Sequence, residues 1–489
     1  MLAPKRVATA AVLWFALGSA APRAAVAQKI RNIHLEAESG RLTDVVVAAS
    51  VPGYSGAGYV TGFTAADAHV TLPFAARAGA YRLTIRYATP FGPKGFAVSV
   101  NGHTINGMFA ATGPHFATVD AGEVLLKNGA NTIEVDRGWG YFDVDALDLA
   151  PAPAPTRLLP PTDRLADAHA SAAARRLMRY LVSQYGRRTL SGQYDTTDIA
   201  AIHRTTGETP AIFGDDLMDY SPSRLAHGSK PQGTVTGDIA AARAGQIITL
   251  SWHWNAPSGL LDRMGKDAAG QPIDERWYKG FNTNATTFNL AEALSHPESR
   301  DYRLLVRDID AIAAHLRKLA AAGVPVLWRP LHEAEGGWFW WGAHGPEAFK
   351  QLWRLMFRRF TTVDHLHNLI WVYTAGSNMA WYPGDAYVDV VGIDAYPQDA
   401  WDPLSGEWTA EVKQFGGRKL LALSEFGGAP NLATMWQLGV RWSYFVSWSG
   451  TTRDLAPAAL RATYLNPRIL NAATLPAHIA ASLTGARTP

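Results

Sequence analysis

The stretch Val324-Pro325-Val326-Leu327-Trp328-Arg329-Pro330-Leu331-His332-Glu333-Ala334-Glu335-Gly336-Gly337-Trp338-Phe339-Trp340-Trp341-Gly342 decides the reading of this chain. An apolar run of strand length leads into a carboxylate, and a glycine pair follows. Leu420-Leu421-Ala422-Leu423-Ser424-Glu425-Phe426-Gly427-Gly428 repeats the arrangement. A reactive group just past a buried strand is the placement that α/β barrels use.

From about residue 160 onward, helical periodicity alternates with short apolar runs. Leu305, Ile309, Ile312, Leu316 and Leu319 fall on one helix face, and Gly323 follows as a stop. Phe349, Leu352, Trp353, Met356 and Phe360 mark another amphipathic helix. The runs at 189–193, 210–214, 246–252, 324–328, 369–373, 388–393, 419–424 and 441–448 predict eight strands. Repeated βα units predict a parallel sheet, and this number of them predicts a closed (β/α)8 TIM barrel over 161–489. A doubly wound sheet lacks its usual mark, because no Gly-rich phosphate loop follows the first strand. On the barrel, Glu333 and Glu425 leave the fourth and seventh strands at one rim. The long connection 255–300, rich in Gly, Asn, Pro and aromatic residues, is expected to help wall a cleft there.

Residues 28–150 read differently. Tyr81-Arg82-Leu83-Thr84-Ile85-Arg86-Tyr87 and Thr132-Ile133-Glu134-Val135 alternate apolar and polar, the signature of half-buried strands. Asn101-Gly102 and Asn128-Gly129 are turn signals. These features predict an all-β sandwich module ahead of the barrel. Between the two, Ala150-Pro151-Ala152-Pro153-Ala154-Pro155 begins a Pro/Ala linker over 151–160. Alternating proline favours an extended, semi-rigid spacer, or a strap lying on one domain.

Residues 1–27 have the form of an export signal: Lys5-Arg6, an apolar stretch from Ala10 to Leu17, and Ala25-Val26-Ala27 as a cleavage site. The apolar stretch is short of the ~20 residues that span a bilayer, which disfavours a membrane anchor. The expected location is therefore secreted, extracellular or periplasmic, with no membrane partner after cleavage. Without Lys5, Arg6 and Arg23 the chain carries 45 − 3 = 42 basic against 42 acidic residues. That balance argues against nucleic acid as a partner. The chain has no cysteine, so disulfides, thiolate metal sites and a cysteine nucleophile are excluded.

Two carboxyl groups flanking one bond are the equipment of glycoside hydrolysis. Arg329 is a fixed cation able to keep one of them ionised, and His332 is able to hydrogen-bond a carboxylate or a sugar hydroxyl. Negative charge at Glu425 would raise the pKa of Glu333 and keep it an acid. His332-Glu333 does not open a zinc motif, because position 336 is Gly where H-E-x-x-H needs its second His. Trp338, Phe339, Trp340 and Trp341 are expected to line a cleft and stack on sugar faces. Trp448 is expected as the floor beneath the reacting sugar. Trp353 and Trp371 read as core.

Over residues 160–485 these features resemble glycoside hydrolase family 26, the β-mannanase family. The resemblance rests on Arg329-Pro330-Leu331-His332-Glu333, Gly337-Trp338-Phe339-Trp340-Trp341-Gly342 and Ser424-Glu425-Phe426-Gly427. It implies Glu333 as acid/base and Glu425 as nucleophile of a retaining endo-β-1,4-mannanase that needs no cofactor for catalysis. It also implies substrate-binding roles for His332, Trp338, Asp394, Tyr396 (of Asp394-Ala395-Tyr396), His253 (of Trp252-His253-Trp254-Asn255) and Trp448. Glu335 stands where many members carry Asn, and Ser449-Gly450 where some place a sugar-binding Arg, which leaves endo against exo action open. Residues 30–150 resemble carbohydrate-binding module family 35, a jelly-roll sandwich. That likeness implies a structural calcium held by Glu36, Glu38 and Asp145, and Trp139 as a sugar-stacking aromatic. Ordinary surface charge is the alternative for the three acids, and core packing for Trp139. The expected partner is β-mannan polysaccharide. A β-1,3-xylan or mixed-linkage β-glucan, and a non-catalytic polysaccharide-binding protein, are the rival readings.

Overall fold

The computed structural model describes residues 31–155, 158–231, 233–267, 270–374 and 378–482. The export signal expected at 1–27 lies outside them.

The N-terminal strands are β1 (Ile33–Glu36), β2 (Arg41–Thr43), β3 (Val46–Ala48), β4 (Tyr59–Thr61), β5 (His69–Ala76), β6 (Gly79–Thr89), β7 (Lys94–Val100), β8 (His103–Phe109), β9 (Gly113–Leu126), β10 (Gly129–Asp136) and β11 (Asp143–Pro151). They form two antiparallel sheets, β3-β4-β11-β6-β9 with β1 on β11, and β2-β5-β10-β7-β8. The alternation in β6 works as expected: Tyr81, Leu83, Ile85 and Tyr87 are buried between the sheets, with Phe96, Val98, Ile133 and Val135 facing them. Asn101 (φ 54°) and Gly102 (φ 85°) turn β7 into β8, and two positive φ values suit a tight hairpin.

The C-terminal part adds β12 (Thr189–Leu190), β13 (Gly192–Tyr194), β14 (Ile212–Asp216), β15 (Ile247–Ser251), β16 (Arg263–Lys266), β17 (Pro272–Glu275), β18 (Val326–Arg329), β19 (Leu369–Thr374), β20 (Val390–Ala395), β21 (Leu420–Phe426), β22 (Phe445–Ser447) and β23 (Ile469–Leu470). Strands β13-β14-β15-β18-β19-β20-β21-β22 close a parallel barrel, so β18 and β21 are its fourth and seventh strands. The remaining pairs, β12 with β23 and β16 with β17, lie outside the barrel. The helix Arg300–Ala321 buries Leu305, Ile309, Ile312, Leu316 and Leu319, and Ser299 caps its start by accepting from Tyr302 N. Gly323 (φ 73°) follows its end. The helix Gly345–Arg358 passes into a π turn, Arg359–Val363, which carries the buried Phe360.

Residues 151–155 of the Pro/Ala segment lie as a strap. Pro151 pairs with Tyr81 in β11, Ala152 N donates to Ala80 O (2.9 Å), and Pro155 lies on Gly439 of the barrel. A second contact joins module and barrel where β9 meets the helix Ser405–Phe415. Ser405 Oγ accepts from Glu123 N (2.6 Å) and donates to Glu123 O (2.9 Å). Gly122 permits this approach: its φ is 94°, and a Cβ there would come 2.5 Å from Ser405 Oγ and 2.6 Å from Gly406 N. Strain and clash together should make Gly122→Ala about 1–3 kcal/mol less stable in denaturant unfolding. An unchanged midpoint would show that the module is not docked this closely.

Candidate active site

Arg329 ends β18 fully buried, and its guanidinium organises the rim of the barrel. Nη1 donates to Asp394 Oδ2 (2.6 Å), and Nη2 to Glu425 Oε2 (2.5 Å) and to Tyr194 OH (3.2 Å). A bulge in the pairing of β20 with β21 sets Asp394 opposite Glu425 and leaves Ser424 as the extra residue. Ser424 Oγ fills the space left by the missing Cβ of Gly392 and donates to Asp394 Oδ1 (2.9 Å). Tyr396 OH donates to Glu425 Oε1, and the Tyr396 ring lies against Gly427. Burial pushes the Glu425 carboxyl up, against the pull of Arg329 and Tyr396. Burial likewise pushes Asp394 up, to about 6, against Arg329.

Glu333 follows β18 on a strained backbone. Leu331 (φ 52°) and Glu333 (φ 55°) both occupy the left-handed region, which costs about 1–3 kcal/mol for a non-glycine residue. Neighbouring bonds hold the turn: Glu333 N donates to Thr374 O (3.1 Å), and Trp341 Nε1 to His332 O (2.9 Å). Trp338 Nε1 donates to Glu333 Oε2 (2.8 Å), and the indole packs over Gly336. Burial first, then the charge of Glu425, raises the Glu333 pKa. Glu333, Asp394 and Glu425 each bring a carboxylate oxygen within 4.8 Å of the other two. Arg329 supplies a positive charge within this trio, and protein donors already engage its oxygens.

The aromatic run divides. Trp338 is 53 % exposed, whereas Phe339, Trp340 and Trp341 are buried, which corrects the expectation that all of them line the cleft. Trp340 Nε1 donates to Trp254 O (2.5 Å), and Phe339 packs beneath His253 and His332. The 255–300 connection props this loop as well as walling the cleft. Thr283 N and Oγ1 donate to Trp338 O and Gly337 O (both 2.8 Å), and Phe281 lines the cleft.

Beside the carboxylates opens a cleft of about 570 Å³, lined among others by Tyr194, Asp215, Asp216, His253, Phe281 and Trp448. Trp448, directly after β22, packs its ring 4.7 Å from Tyr194 and 5.7 Å from His253. His253 Nδ1 meets Asp216 Oδ2 at 2.5 Å, and its Nε2 lies 3.2 Å from His332 Nε2. Burial alone would lower the His253 pKa, but Asp216 outweighs it and raises it. Asp216 is held down at about 2, because His253 and its other donors overcome the effect of burial. Burial, Arg329 and His253 push His332 well below the ordinary value, which favours its neutral form beside His253.

Two expected substrate contacts therefore sit behind the surface. His332 is 1 % exposed and backs His253, and the oxygens of Asp394 are taken by Arg329 and Ser424. Asp216 and Tyr194 were not singled out in the sequence. The signal for Asp216 is an acid at the C-terminal end of a barrel strand, two residues beyond the predicted run.

In the module, Trp139 is 66 % exposed, so it is not core, and its ring lies over Gly95. Glu36, Glu38 and Asp145 converge on the 55–57 loop. Ser55 Oγ donates to Glu36 Oε2 (2.8 Å), Ser55 N to Asp145 Oδ1 (2.9 Å) and Ala57 N to Glu38 Oε1 (2.7 Å). Asp145 also takes Arg86. Glu38 Oε2 is buried with no hydrogen-bond partner.

The His253–Asp216 pair gives a pH signature. A raised His pKa adds stability that is full below the unfolded value of about 6.5 and is lost as pH rises through the folded value. Asp216→Asn should bring the His253 titration, followed by NMR, below about 6.5 and remove that pH-dependent stability. An unmoved titration would contradict the pairing.

Residues 166–472 match "Glycosyl hydrolase family 26", and residues 33–152 match "Carbohydrate binding module (family 35)". The mannan endo-1,4-beta-mannosidase of Thermothelomyces thermophilus is 41% identical over 443 residues, covering 89% of each chain. Mannan endo-1,4-beta-mannosidase A of Piromyces sp is 32% identical, over 86% of this chain and 68% of that protein. The crystal structure of the Podospora anserina GH26-CBM35 beta-(1,4)-mannanase superposes with a TM-score of 0.65 at 38% identity, covering 92% of this chain and 100% of that one. The parallel barrel, the paired carboxylates and these matches together place the chain in glycosyl hydrolase family 26.

Proposed function

We propose that this chain is a retaining endo-β-1,4-mannanase acting on mannan, glucomannan or galactomannan. The observation that carries the reading is the pair Glu333 and Glu425, with oxygens within 4.8 Å and different donors, Trp338 on the first and Arg329 and Tyr396 on the second. Retaining enzymes hold their carboxyl groups about 5–5.5 Å apart, whereas inverting ones need about 6.5–9.5 Å to admit water. The relatives, named mannan endo-1,4-beta-mannosidases, support mannan as the substrate and internal linkages as the point of cleavage.

Arg329 and Tyr396 stabilise negative charge on Glu425, which attacks the anomeric carbon. Glu333, its proton retained by burial and by the Glu425 charge, gives that proton to the departing oxygen. The C–O bond breaks as the Glu425–sugar bond forms. Neutralising Glu425 removes part of what raised the Glu333 pKa, so Glu333 stays ionised after giving up its proton and is free to accept one from the incoming water. Water then releases the sugar and restores both carboxyls. Trp448 and His253 form the surface under and beside the sugar, and Trp338 orients Glu333 while offering an exposed face.

Glu425→Ala should reduce hydrolysis to background while the circular dichroism remains that of a folded protein, with a melting temperature lowered by the loss of one Arg329 partner. Normal turnover in that variant would overturn the assignment. Assays on linear mannan, β-1,3-xylan and mixed-linkage β-glucan test the substrate, with cleavage of mannan into oligosaccharides expected.

The same reading gives the module a sugar-binding role with Trp139 exposed for stacking, and a structural calcium beside the 55–57 loop. The carboxylate donors suit a hard cation, and the orphaned oxygen of Glu38 is the group it would satisfy. Glu36 and Glu38 would hold it, with Asp145 shared with Arg86. Removing calcium with a chelator should lower the melting temperature, and adding it back should restore it; an identical melt in both states contradicts the site. Export with removal of residues 1–27 completes the proposal, and the N-terminal sequence of the mature chain tests it.

A further inference from the structure

The loop 396–405 begins at the reaction centre and ends on the module. Tyr396, at its start, donates to Glu425. Two residues later Gln398 N donates to Asn106 Oδ1 (3.2 Å). Asp399 Oδ2 accepts from Thr104 N (3.2 Å) and faces His103 Nδ1 (3.4 Å), whose ring stacks on Trp401 at 4.5 Å. Asp402 Oδ2 accepts from Asn106 N (3.1 Å), and Ser405 clamps both polar groups of Glu123.

Strand β8 is the edge of its sheet, so the outward amides of Thr104 and Asn106 have no ladder partner in the module. The two loop aspartates cover that edge, as an unpaired strand edge requires. On the barrel side, Asn431 N donates to Ala400 O (3.3 Å), and Gly427 N to Ala395 O (2.9 Å). Glycine at 427 is what admits the Tyr396 ring: a Cβ there would stand 2.6 Å from Tyr396 Cδ1. Tyr396 itself is 52 % exposed, so little packing around its ring fixes it.

We propose that the β-sandwich module is a positioning element of the catalytic centre: by anchoring residues 398–405 it sets Tyr396 against Glu425. This rests on Glu425 being the nucleophile. The module thereby acts on the chemical step as well as on the polymer. Arg329, Tyr194, Asp394, Tyr396, Glu333 and His253 are the charged and titratable groups facing Glu425, and Tyr396 stands on the loop that the module holds. Loosening the loop weakens one donor to the Glu425 carboxylate and leaves Arg329 in place. The carboxylate then protonates at higher pH.

The test uses the full-length enzyme with Asn106→Ala and Asp399→Ala combined, assayed on a short soluble manno-oligosaccharide so that polymer capture plays no part. The expected result is a fall in kcat of about three- to tenfold with KM little changed. The acid limb of the kcat/KM profile should move up by about half a pH unit. Both effects should vanish when the same substitutions are placed in a Tyr396→Phe background, as a double-mutant cycle requires. An acid limb that does not move, or an equal kcat loss in the Tyr396→Phe background, overturns the proposal. If the combined variant fails to fold, Asn106→Ala alone is read by the same criteria. A silent seam variant beside an inactive Glu425→Ala sinks this inference alone; an active Glu425→Ala sinks the catalytic reading with it.

Discussion

A fully buried guanidinium between two carboxylates is the constraint on which the catalytic rim depends. Burying Arg329 costs several kcal/mol unless its charge is matched, and Asp394 and Glu425 match it. Each partner needs the other two, so the ends of β18, β20 and β21 must close to hydrogen-bond distance. The barrel provides that closure. The bulge at Ser424 and the missing side chain of Gly392 provide the last adjustments. Glu333 stays outside this pairing, held by Trp338 instead. Both glutamates are pushed up by burial, but their donors differ: Arg329 and Tyr396 on Glu425, Trp338 on Glu333.

A second charged pair works alongside the first. Asp216 raises the pKa of His253, and His253 in turn meets His332, whose pKa burial lowers. The buried Phe339 and the stacked aromatic rings beneath it fix these imidazoles. The aromatic residues of this chain thus serve unequal purposes. Trp448 lines the cleft and Trp338 stands exposed beside Glu333, while Trp340, Trp341 and Trp353 are buried in the scaffold behind them.

Much of this was legible in the sequence because strand burial and strand ends leave simple marks. The apolar runs before Glu333 and Glu425 are short, fully buried parallel strands, and such strands read as continuous hydrophobic segments. The eight runs correspond to the barrel strands, with ends displaced by a few residues. Those displacements concealed Asp216, since the predicted second strand stopped at Gly214. The four consecutive aromatic residues could not be sorted by pattern, because a turn with left-handed residues at 331 and 333 follows no fixed period. Nor could any local pattern reveal that Asp399 and Asp402 cap an edge strand nearly 300 residues earlier. Contacts of that separation depend on how two folded parts meet.

The central claim is that Glu425 bonds covalently to the sugar while Glu333 carries the proton. Its most direct measurement is peptide mass spectrometry after reaction with a fluorinated mannoside whose glycosyl-enzyme intermediate breaks down slowly. The account predicts a single glycosyl adduct on the peptide containing Ser424-Glu425-Phe426. An adduct on Glu333, or inactivation with no adduct at all, would contradict it.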